Sequence, residues 1–115
     1  SNPPITVNTS ENPKIYVVSN RDRYVTGKGI AGSEITITLP DGRNQKTTVD
    51  SSGDWNIVLN KYLNVGDIIK AIQKENNKDI SQQITTTVVQ AQDMVISEGG
   101  SRKTIKILCK INCSC

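Results

Sequence analysis

The chain has 115 residues, which is enough for one domain with a single hydrophobic core and too few for two. Its 14 basic residues against 11 acidic ones leave a net charge of +3, and this small surplus does not predict nucleic-acid binding, which needs a clustered basic face. Histidine is absent, so the commonest general base and metal ligand is missing, and most hydrolytic and metal-dependent enzymes are disfavoured.

Short runs of β-branched and apolar residues, separated by turn sequences, predict strands along most of the chain. The predicted strands are, in chain order, residues 5–8, 14–19, 23–27, 33–40, 45–50, 55–60, 68–74 and 81–89. The run SEITITLP is the clearest, because Ile35, Ile37 and Leu39 alternate with polar residues and therefore share one face. Seven or eight such strands with frequent turns predict an all-β sandwich.

The segment 59–75 has two interpretations, because its apolar residues also recur at near-helical spacing. Gly66 lies in its middle, and β-branched residues stand on either side of that glycine. Both features favour two strands joined by a turn over one helix.

The chain divides into three parts. Residues 1–4 are expected to be disordered or derived from a tag, residues 5–91 to form the sandwich, and residues 92–115 to be a basic tail or terminal hairpin. The start SNPPITV lacks the regions of a signal peptide, and no apolar run approaches the ~20 residues that span a bilayer. We expect either a cytosolic chain or a module of a longer exported protein, in both cases without membrane insertion.

All three cysteines, Cys109, Cys113 and Cys115, lie in the last part. Without histidine they complete a four-ligand zinc site only with a carboxylate or a second chain. Their odd number allows at most one intrachain disulfide. The sandwich itself is therefore predicted to be held by packing and hydrogen bonds.

The run GKGIAG at 27–32 formally matches the glycine-rich fingerprint of dinucleotide-binding proteins. That fingerprint must open a helix whose N-terminus meets a pyrophosphate. Here the alternating run SEITITLP follows, which predicts a strand. We therefore interpret the glycines as a tight turn between two strands, and no cofactor site is predicted.

The stretch VDSSGDWNIVL holds the only tryptophan, between acids that suggest a metal site. Asp50, Ser52 and Asp54 align with the first ligands of an EF-hand loop, but Trp55 and Lys61 occupy the positions that need glycine and a bidentate acid. Asp50 and Asp54 remain weak calcium candidates, although acids in turns are commonly turn formers. The aspartates considered as further oxygen donors are Asp22, Asp41, Asp67 and Asp79.

Trp55 also has two interpretations. An exposed indole on a sandwich can stack on a sugar ring, but such surfaces use several aromatics, and this chain adds only Tyr16, Tyr24 and Tyr62. Trp55 is in phase with Ile57 and Leu59, so it is predicted to fill the core.

Three ordered motifs over residues 14–90 together resemble the bacterial immunoglobulin-like modules repeated in bacterial surface proteins. They are VTGKGIAGSEITITLPDG, TTVDSSGDWNIVL and LNVGDIIKA. The signature residues that carry the resemblance are Gly27, Gly29, Gly32, Ile35, Ile37, Val49, Asp50, Gly53, Trp55, Gly66, Asp67 and Ile69. The loop QKENNKDIS departs from the family, which often has an aspartate and a Gly-Asn turn there.

The resemblance implies an Ig-like Greek-key sandwich of about seven strands without catalytic residues. It implies a stalk or spacer module, extracellular or on the bacterial surface, whose partners are neighbouring domains of the same polypeptide. The alternative is an adhesin module that binds carbohydrate or a host protein. A calcium-stiffened linker is a more distant alternative.

Overall fold

The computed structural model describes residues 8–92. The cysteine tail and nearly all of the first predicted strand, 5–8, lie outside this range. Seven strands are present: β1 (Lys14–Ile15), β2 (Tyr24–Lys28), β3 (Glu34–Thr38), β4 (Asn44–Thr48), β5 (Asp54–Val58), β6 (Ile68–Lys74) and β7 (Ile84–Thr87).

The strands form two sheets with antiparallel pairing throughout. One sheet has the order β1-β2-β5 and the other the order β4-β3-β6-β7. The two sheets pack as the predicted Ig-like sandwich. Every regular element in the described part of the chain is a strand, which resolves segment 59–75 in favour of a loop followed by β6. Residues 8–92 contain no helix that is long and apolar enough to cross a membrane.

The core lies between the sheets and follows the period-two alternation of the sequence. The predicted core residues Ile35, Ile37, Leu39, Trp55 and Ile57 are all buried. The other buried hydrophobic residues are Val18, Val25, Val49, Leu59, Leu63, Ile69, Ala71 and Val88. Side chains from both sheets therefore fill one continuous cluster.

The predicted strand 14–19 is wrong as a single element, because the segment is shared between the two sheets. Its first part pairs with β2, and the Tyr16 N–H still donates to the Thr26 carbonyl at 2.9 Å. Two residues later the Val18 carbonyl accepts the Val89 N–H at 2.9 Å, just after β7 of the other sheet. The pairing with β2 therefore ends after Tyr16, because the backbone of Val18 bonds to Val89 and not to β2.

The sandwich has two poles, and the described chain enters at one and leaves at the other. The entry pole consists of segment 8–12 with the loops 29–33, 50–53 and 75–82. The exit pole consists of segment 88–92 with the loops 19–23, 39–43 and 59–67. Strand β6 runs between the poles, and its seven residues span ~23 Å at about 3.3 Å per residue.

Candidate functional site

The indole of Trp55 is part of the core and is not available to a ligand. Its side chain is 2% exposed, and its Nε1–H donates to the Lys28 carbonyl at 2.9 Å. The hydrogen bond satisfies the one polar atom of the ring, so the whole side chain can be buried at little cost. The sugar-stacking interpretation of this tryptophan is therefore wrong.

Gly27 provides the space that the indole occupies. It lies directly opposite Trp55 in the pairing of β2 with β5 and opposite Ile15 in the pairing with β1. A Cβ at this position would overlap the Lys14 carbonyl oxygen and stand 2.6 Å from Cζ2 of the indole. Strand β1 and the tryptophan thus both approach the bare backbone of β2.

Gly27→Ala is expected to destabilise the domain by about 1–3 kcal/mol, because the added methyl group must displace either β1 or the indole. Gly32→Asn is the matched control: Gly32 has φ +85° and no atom near its Cβ position, and asparagine tolerates this conformation. Urea unfolding of both variants gives the comparison. Equal stability of the two would contradict the close packing at Gly27.

The acids beside Trp55 are engaged in turn and strand contacts. Asp50 Oδ1 accepts the N–H groups of Ser52 and Asp54, each at 2.9 Å, while Gly53 takes φ +86°. Asp54 forms an ion pair with Lys28 across β2 and β5, with 2.5 Å between Nζ and Oδ1. Asp50 therefore stabilises the hairpin turn, and Asp54 pairs with the neighbouring strand.

Three of the other acidic candidates form similar local turns. Asp22 accepts the Ser19 N–H at 2.8 Å, Asp41 the Arg43 N–H at 3.0 Å, and Asp67 the Asn64 N–H at 2.9 Å. Such bonds are typical of aspartates that form turns. Within residues 8–92 no group of three or more acidic, cysteine or histidine side chains is placed to hold a metal ion.

These contacts lower the pKa values of several carboxyl groups. The pKa of Asp50 lies below its ordinary value of 3.8 because the Asp54 and Ser52 N–H groups stabilise the carboxylate. The pKa of Asp41 is lowered by the Arg43 N–H, and that of Glu75 by the Glu11 N–H. The hydrogen bond to Asp54 raises the pKa of Lys28.

A carboxyl group whose pKa is lower in the folded state stabilises that state above its unfolded pKa, and this contribution is lost as the pH falls through the folded pKa. The ordinary values are 3.8 for Asp50 and 4.5 for Glu75. We therefore expect the melting temperature to be level above about pH 5 and to fall below about pH 4. Asp50→Asn should flatten this acid limb, which calorimetry over pH 2–7 would measure, and an unchanged limb would contradict the role of Asp50.

Gln73 is a fully buried polar residue that the sequence analysis did not single out. Its side-chain oxygen accepts the Ile30 N–H at 2.7 Å, and its amide group donates to the Glu11 carbonyl at 2.8 Å. It thereby joins β6, the glycine-rich loop and the N-terminal segment. The available signal was its phase, because Gln73 follows Ile69 and Ala71 on the inward face of β6.

Around Gln73 a group of hydrogen bonds fastens the N-terminal segment to the entry pole. We call it the entry clasp, formed by Ser10, Glu11, Gln73, Glu75 and Asp79. The Ser10 N–H and hydroxyl both donate to the Asp79 carbonyl, at 2.9 and 2.6 Å, and the hydroxyl accepts the Glu75 N–H at 2.8 Å. The Glu75 carboxylate accepts the Glu11 N–H at 2.8 Å.

A second group of hydrogen bonds fastens the other end of the described chain. We call it the exit clasp, formed by Val18, Asn20, Gly66, Val89 and Ala91 with the adjoining Val88. The Asn20 N–H donates to the Val89 carbonyl at 3.0 Å, and the Asn20 side chain accepts the Ala91 N–H at 2.8 Å. The Gly66 N–H donates to the Val88 carbonyl at 2.9 Å.

The signature residues do not converge on one site. Gly29, Gly32, Asp50 and Gly53 lie at the entry pole, Gly66 and Asp67 at the exit pole, and Ile35 and Ile37 in the core. Gly32, Gly53 and Gly66 all have φ between +85° and +96°. Turn geometry and packing thus account for the positions of these residues.

The outer face of the sheet β1-β2-β5 carries two exposed tyrosine side chains. Tyr24 is 55% exposed on β2, and Tyr16 is 39% exposed beside Thr26 of the same strand. The exposed Asn56 lies opposite Thr26 on β5. This face offers two phenol rings and one amide to solvent.

Comparisons with known proteins agree with this architecture. A family model described as "Bacterial Ig domain" matches residues 10–90. Among solved structures, a chain described as "Biofilm associated protein - BSP domain" superposes with a TM-score of 0.65 at 20% identity. The match covers 71% of this chain and 14% of that one, so it shows the fold alone. No curated protein matched the sequence.

Proposed function

The chain belongs to the bacterial Ig domain family, and on that premise we propose that it is a non-catalytic spacer module. It would lie in a surface-exposed or secreted bacterial protein and hold other domains of the same polypeptide apart. Its partners are then the neighbouring domains, with no nucleic acid and no membrane insertion. The observation that carries the proposal is the entry and exit of the described chain at opposite poles.

The first and last described segments lie at opposite poles, which suits a module that is linked end to end with neighbouring domains. Each copy adds at least the ~23 Å of strand β6 to the distance between its neighbours. A tensile force applied through the chain acts first on the entry and exit clasps, since they fasten the end segments to the sandwich. At the exit clasp, Ser19 and Val89 pair in parallel, so the force there shears the two backbone hydrogen bonds of this pairing together.

Single-molecule force spectroscopy of the full chain, held at its two ends, tests the proposal. We expect residues 8–92 to unfold in one step that releases about 28 nm of chain, from ~3.6 Å per extended residue less the folded length. Asn20→Ala should lower the unfolding force because it removes the acceptor for Ala91. Asn60→Ala, at an exposed position, is the control. Gradual extension at low force would contradict the spacer role.

An adhesin module is a second candidate, and the outer face of the sheet β1-β2-β5 is the observation that favours it. Tyrosine rings and an amide on a flat sheet suit a saccharide, which stacks on aromatic rings and binds amides by hydrogen bonds. A glycan array probed with the chain tests this candidate. Binding that Tyr24→Ala removes and Tyr62→Ala retains would establish it, whereas the spacer role predicts no binding.

The calcium-stiffened linker leads to a separate prediction. We expect the same melting temperature in 5 mM calcium chloride and in EDTA, because the oxygens of Asp22, Asp41, Asp50 and Asp67 already serve local turns. Ligand binding to the folded state alone would raise the melting temperature with calcium concentration. Such a rise in differential scanning calorimetry would support the calcium-stiffened linker.

A further inference from the structure

Exposed apolar side chains are distributed unevenly between the two poles. Of the ten large hydrophobic residues exposed within residues 8–92, seven lie on the exit half of the sandwich. Five of them lie in or next to the segments that form the exit pole, and we call these the exit patch: Val17, Tyr62, Val65, Ile68 and Val89. Exposed apolar side chains concentrated at one end of a domain are a feature of contact surfaces.

Two depressions lie at the exit pole, next to residues of the exit patch. One, of about 480 Å³, lies between the turn 40–43 and the loop 59–67, beside Tyr62. The other, of about 450 Å³, lies between Val17, Val89 and segment 89–92. The exit pole therefore has two concave surfaces next to the departing chain, one lined by polar and apolar residues together and one that is mainly apolar.

Charge is also divided between the poles. The exit pole and the adjoining strand ends carry five basic and three acidic residues, a net charge of +2: Arg21, Arg23, Arg43, Lys61 and Lys70 against Asp22, Asp41 and Asp67. The entry pole and its strand ends carry six acidic and four basic residues, a net charge of −2: Glu11, Glu34, Asp50, Asp54, Glu75 and Asp79 against Lys14, Lys28, Lys74 and Lys78. The two poles of one domain are therefore complementary in charge to each other.

We propose that the exit patch is the docking surface for the acidic entry pole of a second copy of this domain, placed head to tail. The proposal rests on the spacer function for its biological setting, in which two such domains follow one another in a polypeptide. The contact is heterologous, since different surfaces meet, and it therefore repeats along an array instead of closing into a dimer. Linkage within one chain raises the effective concentration to about millimolar, so a weak contact suffices to stiffen the array.

The free chain tests this contact directly. In reducing buffer, sedimentation equilibrium at increasing concentration should show the apparent mass rising beyond a dimer, and less so in 0.5 M salt than in 0.05 M salt. Amide NMR signals that shift with concentration should belong to both poles, near Val65 and near Asp79. Shifts at the exit pole alone, or a strictly monomeric chain, would overturn the proposal.

Substitutions in the exit patch distinguish this contact from non-specific association. Tyr62→Ser with Val65→Ser should weaken association at least tenfold, and both side chains are half exposed, so the fold should persist. Tyr16→Ser is the matched control, because Tyr16 lies on a sheet face away from both poles. Circular dichroism establishes that each variant is folded. Equal association of the two variants would overturn the proposal.

A charge exchange tests the head-to-tail arrangement without touching the apolar patch. Lys61→Glu at the exit pole and Asp79→Lys at the entry pole should each weaken self-association about fivefold, and mixing the two variants should restore it. Lys46→Glu changes the net charge equally but lies in the middle of the edge strand β4, between the poles. It loses only the 3.9 Å ion pair with Glu34, so it should weaken association clearly less than either pole substitution. If mixing the two variants did not restore association, the head-to-tail arrangement would be overturned. Failure of the spacer function would appear separately, as low-force extension in the pulling experiment.

Discussion

Trp55→Ala is expected to lower the free energy of unfolding by about 3–5 kcal/mol. The indole is 2% exposed, it is the only tryptophan, and the chain has no phenylalanine to fill the cavity that alanine leaves. Domains of this size are stable by only about 5–15 kcal/mol, so the loss removes a large fraction of the total stability. Urea unfolding followed by far-ultraviolet circular dichroism measures the change.

Two further variants separate the causes of this loss. Trp55→Phe keeps most of the apolar contact but removes the Nε1–H donor to the Lys28 carbonyl, so its cost should be smaller. Tyr24→Ala removes an exposed ring from β2 and should change stability by less than about 0.5 kcal/mol. If Trp55→Ala melts with the parent, the indole does not fill the core.

Gln73→Leu is expected to cost about 2–5 kcal/mol, although leucine has a similar volume and suits a buried strand. The substitution leaves the Ile30 N–H and the Glu11 carbonyl, whose hydrogen bonds to Gln73 are part-buried, without their partner, at about 1–3 kcal/mol for each. The loss should appear as a lower denaturation midpoint and as faster amide exchange at Ile30 and Glu11. Faster exchange at both sites would show that the entry clasp has loosened.

Gln83→Leu provides the matched control, because Gln83 is the same residue type at an exposed position before β7. This variant should unfold with the parent within about 0.5 kcal/mol. A Gln73→Leu variant as stable as Gln83→Leu would show that water replaces the amide at no cost. The entry clasp would then depend on Ser10 and Glu75 alone.

Both results bear on how the module functions, because they affect different parts of it. Trp55 holds the two sheets together, whereas Gln73 joins the N-terminal segment to the sandwich. The proposed spacer role would need both, since force would enter through the end segments and be resisted by the body. We therefore expect Gln73→Leu to lower the unfolding force in the pulling experiment, in addition to its effect on stability.

The sequence by itself determined the features that depend on neighbouring residues. Alternation predicted that Ile35, Ile37 and Trp55 face inward, because successive side chains of a strand point to opposite faces. Aspartate and glycine predicted the turns at Asp50 and Gly53, because the required bonds and the positive φ lie within a few residues. These local rules were sufficient for the strand count, the sandwich and most of the core.

Only the tertiary structure decided which distant groups meet. Gln73 binds Glu11 across 62 positions of the chain, Trp55 reaches the Lys28 carbonyl across 27, and Asn20 holds Ala91 across 71. The crossing of segment 14–19 between sheets, the opposite poles and their opposite charges are likewise properties of the assembled sandwich. Periodicity specifies the face on which a side chain lies, but the partner on that face is set by strand order and register, which long-range packing decides.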